Sequence, residues 1–413
     1  MPSGAACRGR VVVKNKSAEI NKPGKTRLHG LATNILGFLL LAGIVPVAAM
    51  PPGSGAEPLD PIVIETASTT NLEKVLERAE AKRLVFVGET HTSVSDHELQ
   101  LRVLKAMHAQ GGDLTVGVEW FQRPFQEVLD RYINGDLDEQ GMLRESEYFQ
   151  RWGFDYRLYR DILKYARDNG IRVLALNASR EISRAIREKG LEGLPDEQKA
   201  ELPDSYDLDN AAYAEHLKEV FQLHQNRDHE DPEAFQRFLE VQLTWDETMA
   251  SETAEYLASG PGKRILVLAG RGHTHAAAIP ARVARRIGEK GLSIASYQPG
   301  GSFEHPDFLV LQPEKRLPPA GLIGVSLEER EDGVYISAIS EGSFAGKAGV
   351  RAGDRILKIA DTEIQTYIDV KLAMLDRKPG EKLQVGLSRK GFFGLMSEHE
   401  VEVTLTSLRP MPH

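Results

Sequence analysis

The chain has 413 residues, 41% of them hydrophobic and 27% charged, with a formal net charge of −9. That length exceeds one ordinary core and points to two domains, and the acidic balance excludes a nucleic-acid surface, which needs a basic patch. The single cysteine is Cys7, so the chain beyond it holds neither a disulfide nor a thiolate metal site.

Arg8, Arg10, Lys14, Lys16, Lys22, Lys25 and Arg27 form a basic lead, followed by the apolar run ILGFLLLAGIVPVAA. The run is too short to favour a transmembrane helix, and it closes on Val47-Ala48-Ala49, small residues of the kind a signal peptidase reads. Residues 1–49 are therefore expected to be an export signal, placing the protein in the periplasm or tethered to the cell envelope. No cysteine follows the run, so a lipoprotein-type anchor is not expected. Residues 50–61, with their PPGSGAEP stretch, read as a flexible linker.

From residue 62 to 312 strands and helices alternate. Leu72, Val75, Leu76 and Ala79 fall on one helical face. Short apolar runs at Leu84–Val87, Leu114–Val118, Ile171–Leu176, Arg264–Ala269, Leu292–Tyr297 and Phe308–Leu311 read as strands buried on both faces. The pattern predicts an α/β domain with a mostly parallel sheet flanked by helices. Residues 179–260 show no strand. They are expected to be a helical insertion, with two amphipathic helices joined by the polar NRDHEDPE, able to lie over the sheet as a lid. The proline-rich residues 313–320 form a second linker, and short strands with glycine turns follow over 321–408.

Ligands of open parallel sheets bind beyond the carboxyl ends of the strands. Four strand ends here carry polar residues: Glu89 and His91, then Glu119 and Trp120, then Asn177, then Arg271, His273 and His275. Gly88 is expected to permit a sharp turn, and Ser95 with Glu98 to cap the next helix. His91 and His275 each stand just before a helix start, which favours the neutral imidazole that a metal binds. His97 and His108, on a helix, read as surface residues.

GETH and GRGH are two Gly-x-x-His motifs at the ends of apolar strands. With GVEWF and LTWDETMA between them, they resemble the ChaN-like haem-binding uptake family, within the superfamily of the Tiki proteases and erythromycin esterases. The resemblance covers residues 62–311. It implies haem binding and a part in iron acquisition at the bacterial envelope. Tiki-type relatives imply instead metal-dependent hydrolysis, with Glu89, His91, Glu119 and His273 as the matching metal and catalytic positions. The missing lipoprotein cysteine departs from the haem-uptake pattern.

A hydrolytic centre needs about three ligands and an open position, whereas haem needs a wide apolar slot with one or two axial ligands. The insertion offers Tyr206, Tyr213, His216, His224 and Met249, of which Tyr213 is the favoured axial ligand because it shares a helical face with His216 and Val220. Arg271 is expected to pair with Asp246, Glu247 or a haem propionate. Haem is the favoured cofactor and a divalent metal ion the alternative. Tyr213, Arg271 and His275 are the cofactor-binding candidates.

Residues 321–408 closely resemble a bacterial PDZ domain, carried by Leu322-Ile323-Gly324-Val325, Gly342-Ser343-Phe344-Ala345, Ala348-Gly349-Val350, Gly353-Asp354-Arg355-Ile356 and Pro379-Gly380. The resemblance implies an α+β fold that adds a partner's C-terminal strand beside Val325 and holds its carboxylate at Leu322, Ile323 and Gly324, with Val370 and Met374 lining the side-chain pocket. A protein partner bound by its C-terminus is thus expected, with monomer and homodimer both left open.

Overall fold

The computed structural model describes residues 62–65, 69–225, 232–297, 306–391 and 394–407. The expected export signal and the linker over 50–61 lie outside the described residues. Among the described residues no helix is long and apolar enough to cross a membrane.

The order of elements is β1 (Ile62–Glu65), β2 (Thr69–Asn71), α1 (Leu72–Glu80), β3 (Leu84–Glu89), α2 (Val94–Ala109), β4 (Asp113–Gln122), α3 (Gln126–Asn134), α4 (Glu139–Glu145), α5 (Tyr148–Arg151), α6 (Arg160–Asp168), β5 (Arg172–Asn177), α7 (Arg180–Lys189), α8 (Asp196–Lys199), α9 (Ala211–Gln225), α10 (Pro232–Ala258), β6 (Lys263–Gly270), α11 (Ile279–Ile287), β7 (Leu292–Ser296) and β8 (Phe308–Leu311). The first sheet runs β2-β1-β8-β7-β3-β6-β4-β5. Its six strands from β8 to β5 are parallel, and β1 and β2 add an antiparallel edge.

The central strands are apolar on both sides because both sides are covered. In β3, Val85 and Val87 join the core built with α1, α2, α3 and α6, while Leu84 and Phe86 join the core built with α10 and α11. In β6, Leu266 and Leu268 divide from Ile265 and Val267 in the same way. Within the stretch expected to be a helical insertion, Met249, Ala250, Tyr256 and Leu257 of α10 are buried against the sheet.

Helix α2 starts at Val94 with Ser93 as its cap, its side chain accepting from the Asp96 N–H. The expected cap at Ser95 is not formed, because the Ser95 hydroxyl donates to the Pro313 carbonyl at 2.6 Å and accepts from the Lys315 N–H. Gly88 makes no turn either. It lies inside β3, and its φ is not in the left-handed region.

The second sheet has the order β14-β13-β11-β10-β9, formed by β9 (Val325–Arg330), β10 (Gly333–Ile339), β11 (Arg355–Ile359), β13 (Lys382–Lys390) and β14 (Met396–Thr404), with the short β12 (Thr362–Glu363) on β11. Helix α12 (Tyr367–Met374) has Thr366 as cap in a capping box with Asp369. This helix serves two cores. Val370 is buried with the second sheet, while Ile368 and Leu372 are buried with the α/β core. Arg144 pairs with Asp369 at 2.6 Å and Arg160 with Asp376 at 2.5 Å, so the α/β domain grips both ends of the helix.

Candidate functional site

Strands β3 and β6 lie side by side and parallel, so their carboxyl ends deliver the two Gly-x-x-His motifs to one place. The glycines explain the close approach. A Cβ on Gly270 would come within 2.9 Å of His91 Cε1 and 3.4 Å of Glu119 Oε2. A Cβ on Gly88 would come within 2.3 Å of Thr274 Oγ1 and 3.2 Å of Arg271 Cα. Each motif's glycine thus makes room for residues of the other motif, and this packing is why Gly88 stands inside a strand.

Strand β4 leaves its pairing with β6 after Val118, which frees Glu119 to turn to the site. Its Oε2 accepts the Gly270 N–H at 2.6 Å, and its Oε1 lies 3.3 Å from His273 Nε2. Asn177, at the end of β5, donates to the Glu119 carbonyl at 3.2 Å and so braces this segment.

Glu89, His91 and Glu119 each offer a ligand atom, all within 4.8 Å of one another. His91 Nδ1 is 2.5 Å from Glu89 Oε1, which leaves Nε2 for a ligand. His273 Nδ1 is 2.6 Å from Asp246 Oδ1, which turns its Nε2 to Glu119. Both imidazoles are therefore oriented by a carboxylate on Nδ1, the usual arrangement of metal-binding histidines. The His91 ring also packs against Trp152 and Phe154, with centroids 4.8 and 4.6 Å away.

Electrostatics follow from burial. Desolvation raises the Glu89 carboxyl to about 7 although His91 opposes it. Burial alone would lower His273, but the Glu119 and Asp246 carboxylates outweigh it and raise the imidazole to about 9. His91 is also raised: burial opposes, and the Glu89 hydrogen bond and Glu119 prevail.

His97 is not a surface residue. It is 4% exposed because its face of α2 lies against the sheet, and burial lowers it to about 4. Its Nδ1 bonds the Ser93 carbonyl at 2.6 Å, and its Nε2 faces Glu89 Oε2 across 3.9 Å. His108 is half-buried and bonds the Tyr165 hydroxyl at 2.9 Å.

The cofactor-binding candidates fall elsewhere. Tyr213 is 2% exposed, its hydroxyl donates to Asp246 Oδ2 at 2.5 Å, and the Arg282 guanidinium covers its ring. Asp246 and Glu247 are not partners of Arg271. Asp246 serves His273 and Tyr213, and Glu247 is held by Arg282, Arg285 and Arg286. Among the described residues no ion pair involves Arg271. His275 stacks on His216 of α9, centroids 4.4 Å apart. Met249 is fully buried in the sheet core, and the side chain of His224 lies outside the described residues. Sequence reasoning offered Asp246 only as a partner of Arg271 and missed its bond to His273. Its sequence signal was the LTWDETMA stretch, where a carboxylate interrupts a buried helical face.

The sequence pattern of the family described as haem-binding uptake, Tiki superfamily, ChaN matches residues 75–283, which is 209 of the 413 residues. The chain belongs to this family. A solved ChaN of Campylobacter jejuni, described with cofacial heme binding, shares the fold at a TM-score of 0.50 and 16% identity, covering 62% of this chain and 98% of that one. Among curated proteins, RETICULATA-RELATED 5 of Arabidopsis thaliana, a chloroplastic protein, is 22% identical over 254 residues, 56% of this ChaN-family chain and 33% of its own length.

Residues 321–403 match the PDZ pattern and form a PDZ domain. The periplasmic pH-dependent serine endoprotease DegQ of Escherichia coli is 34% identical over 73 residues, 18% of this chain and 15% of its own. The chain spans a third or less of the length of these two curated relatives. In the PDZ domain β9 is the last strand of its sheet, with α12 as the neighbouring wall. Ile323 is buried, Leu322 and Val325 are half-buried, and Gly324 adopts φ +82, a left-handed conformation that suits glycine. Val370 is buried, and Met374 packs partly buried beside it.

Proposed function

We propose that this protein is an exported haem-binding protein of the ChaN type that handles haem or iron at the cell envelope and recruits a partner through its PDZ domain. The family membership of residues 75–283 carries the haem reading, and the basic lead with its apolar run supports export. Donor atoms of Glu89, His91 and Glu119 within 4.8 Å of one another suit a single ion, and the haem reading does not draw on them. Titration with haemin should give a saturable Soret shift at one haem per chain or per dimer. No saturable shift overturns this reading. Mass spectrometry of the exported fraction should find the N-terminus cut near Ala49, and an intact Met1 there overturns the signal.

A second reading, metal-dependent hydrolysis, is favoured by the cluster itself. His91 Nε2 and the Glu119 carboxylate, from the donor set within 4.8 Å, would hold a divalent ion together with His273 Nε2, which lies outside that set but 3.3 Å from Glu119 Oε1, three ligands in the number used by catalytic sites. A bound ion would supply Lewis acidity. Glu89, poised at about 7, would accept a proton at Oε2, which has no hydrogen-bond partner among the described residues. The PDZ groove would present polypeptide ends. Cleavage of an unstructured peptide with a free apolar C-terminus, dependent on added zinc and lost in Glu89→Gln, is the expected result. Equal activity in that variant overturns the role of Glu89.

A further inference from the structure

We propose that Asp246 is the positioning residue of the strand-end metal centre and that Tyr213 of the insertion locks it in place. This inference rests on the metal reading of that cluster and extends it to two residues that touch no ion.

Asp246 is 1% exposed, and both its oxygens are committed. Oδ1 takes the Nδ1 side of His273 at 2.6 Å, and Oδ2 accepts the Tyr213 hydroxyl at 2.5 Å. A carboxylate taken out of water is costly unless such charge-assisted bonds replace its hydration. With Nδ1 occupied, Nε2 is the only ring nitrogen left to His273, and it faces Glu119 at 3.3 Å.

The lock is itself rigid. Tyr213 lies in a cluster with Leu217, Leu243 and Ala278, and the fully buried Arg282 stacks over its ring 4.0 Å from the centroid. Arg282 is in turn paired with the buried Glu247 at 3.2 Å. The hydroxyl of Tyr213 therefore cannot swing away without breaking packing unrelated to the cluster. The other site imidazole, His91, takes its orienting bond from Glu89, a residue of the same strand-end motif. His273 instead takes it from α10 and, through Asp246, from α9. The insertion thus sets the geometry of a ligand that the sheet supplies.

The test is a cobalt(II) titration of the full-length protein, reading the visible absorption spectrum and the affinity, with thermal melting as the fold control. Wild type should saturate near one ion per chain. Asp246→Asn keeps the volume and removes the charge, and should weaken cobalt about 10–100-fold with an altered spectrum, the usual loss when an orienting partner of a metal-binding histidine is removed. Tyr213→Phe removes one hydroxyl and should move affinity and spectrum in the same direction by a smaller factor. If Asp246→Asn does not fold, Tyr213→Phe decides. A folded variant with wild-type affinity and spectrum overturns the proposal and leaves the metal centre standing. A wild-type protein that binds no cobalt overturns the metal reading and the proposal with it.

Discussion

Gly88 and Gly270 stand in a reciprocal relationship across the parallel β3–β6 pair: Gly270 lies against His91, and Gly88 lies against Thr274. The two positions should fail differently. At Gly270 an added methyl meets the His91 ring, a side chain that can turn, at 2.9 Å. At Gly88 it meets backbone, Arg271 Cα at 3.2 Å, besides the Thr274 hydroxyl.

Gly88→Ala is therefore expected to lower stability by about 1–3 kcal/mol, the usual cost of forced overpacking. Gly270→Ala should melt close to wild type yet bind cobalt at least about tenfold more weakly, because it displaces a ligand. Unfolding curves and cobalt titrations of the two variants check this. Equal melting temperatures with equal metal affinity would refute the packing account.

The site's ionisation predicts a pH profile for the metal-free protein. Glu89 and His273 both have folded values raised above their ordinary ones, to about 7 and about 9. Their contributions to stability are full below the ordinary values and are lost as pH rises through about 7 and then about 9. His97 has the opposite sign. Lowered to about 4, it contributes above its ordinary value and is lost as pH falls through about 4. Metal-free melting temperature should thus fall on the alkaline side as Glu89 and then His273 deprotonate. Cobalt should flatten that fall and release protons on binding, because ligation needs the deprotonated forms. A melting profile unchanged by cobalt across that range would contradict the assignment.

Haem and cobalt should separate at Tyr213. Its hydroxyl is buried and donated to Asp246, so Tyr213→Phe is expected to leave the haemin Soret band unchanged while it weakens cobalt. A shifted Soret band in that variant would place Tyr213 on the haem iron.

The six parallel strands of the α/β domain were legible because each is a short apolar run buried on both faces. The Gly-x-x-His pair was legible because strand ends are where such sheets place polar residues. What was hidden depends on contacts between distant segments. His97 read as exposed because one helical turn does not reveal which face meets the sheet. Asp246 read as one of the groups that Arg271 would pair with, and only its approach to His273, 27 residues on, shows the partner it has. The antiparallel edge of β1 and β2 is only four and three residues long, below the length at which a pattern declares itself.

The PDZ domain should be probed both alone and in the whole chain. Leu372→Lys places a charge in the α/β core and is expected to cost the full-length protein several kcal/mol, as an unpaired buried charge does. In a fragment covering residues 319–408 the same side chain would face water, and the substitution should be close to neutral. Urea unfolding of both forms checks this, and equal losses would show that the α12 contact is not made in solution. Peptide binding to the PDZ groove should fall when the peptide's C-terminus is amidated, since the loop at Leu322–Gly324 would then hold no carboxylate. Equal affinity of the free and amidated peptides would rule out that loop as a carboxylate site.

Helix α12 answers to two masters. Drift at Ile368 or Leu372 is judged by the α/β domain, and drift at Val370 by the PDZ fold, on a helix only eight residues long. Such a helix leaves few positions where descendants could retune peptide preference without disturbing the neighbouring domain. The two halves are bound to be inherited as a pair, and a PDZ domain shuffled in from another protein would arrive without the residues that let it settle here.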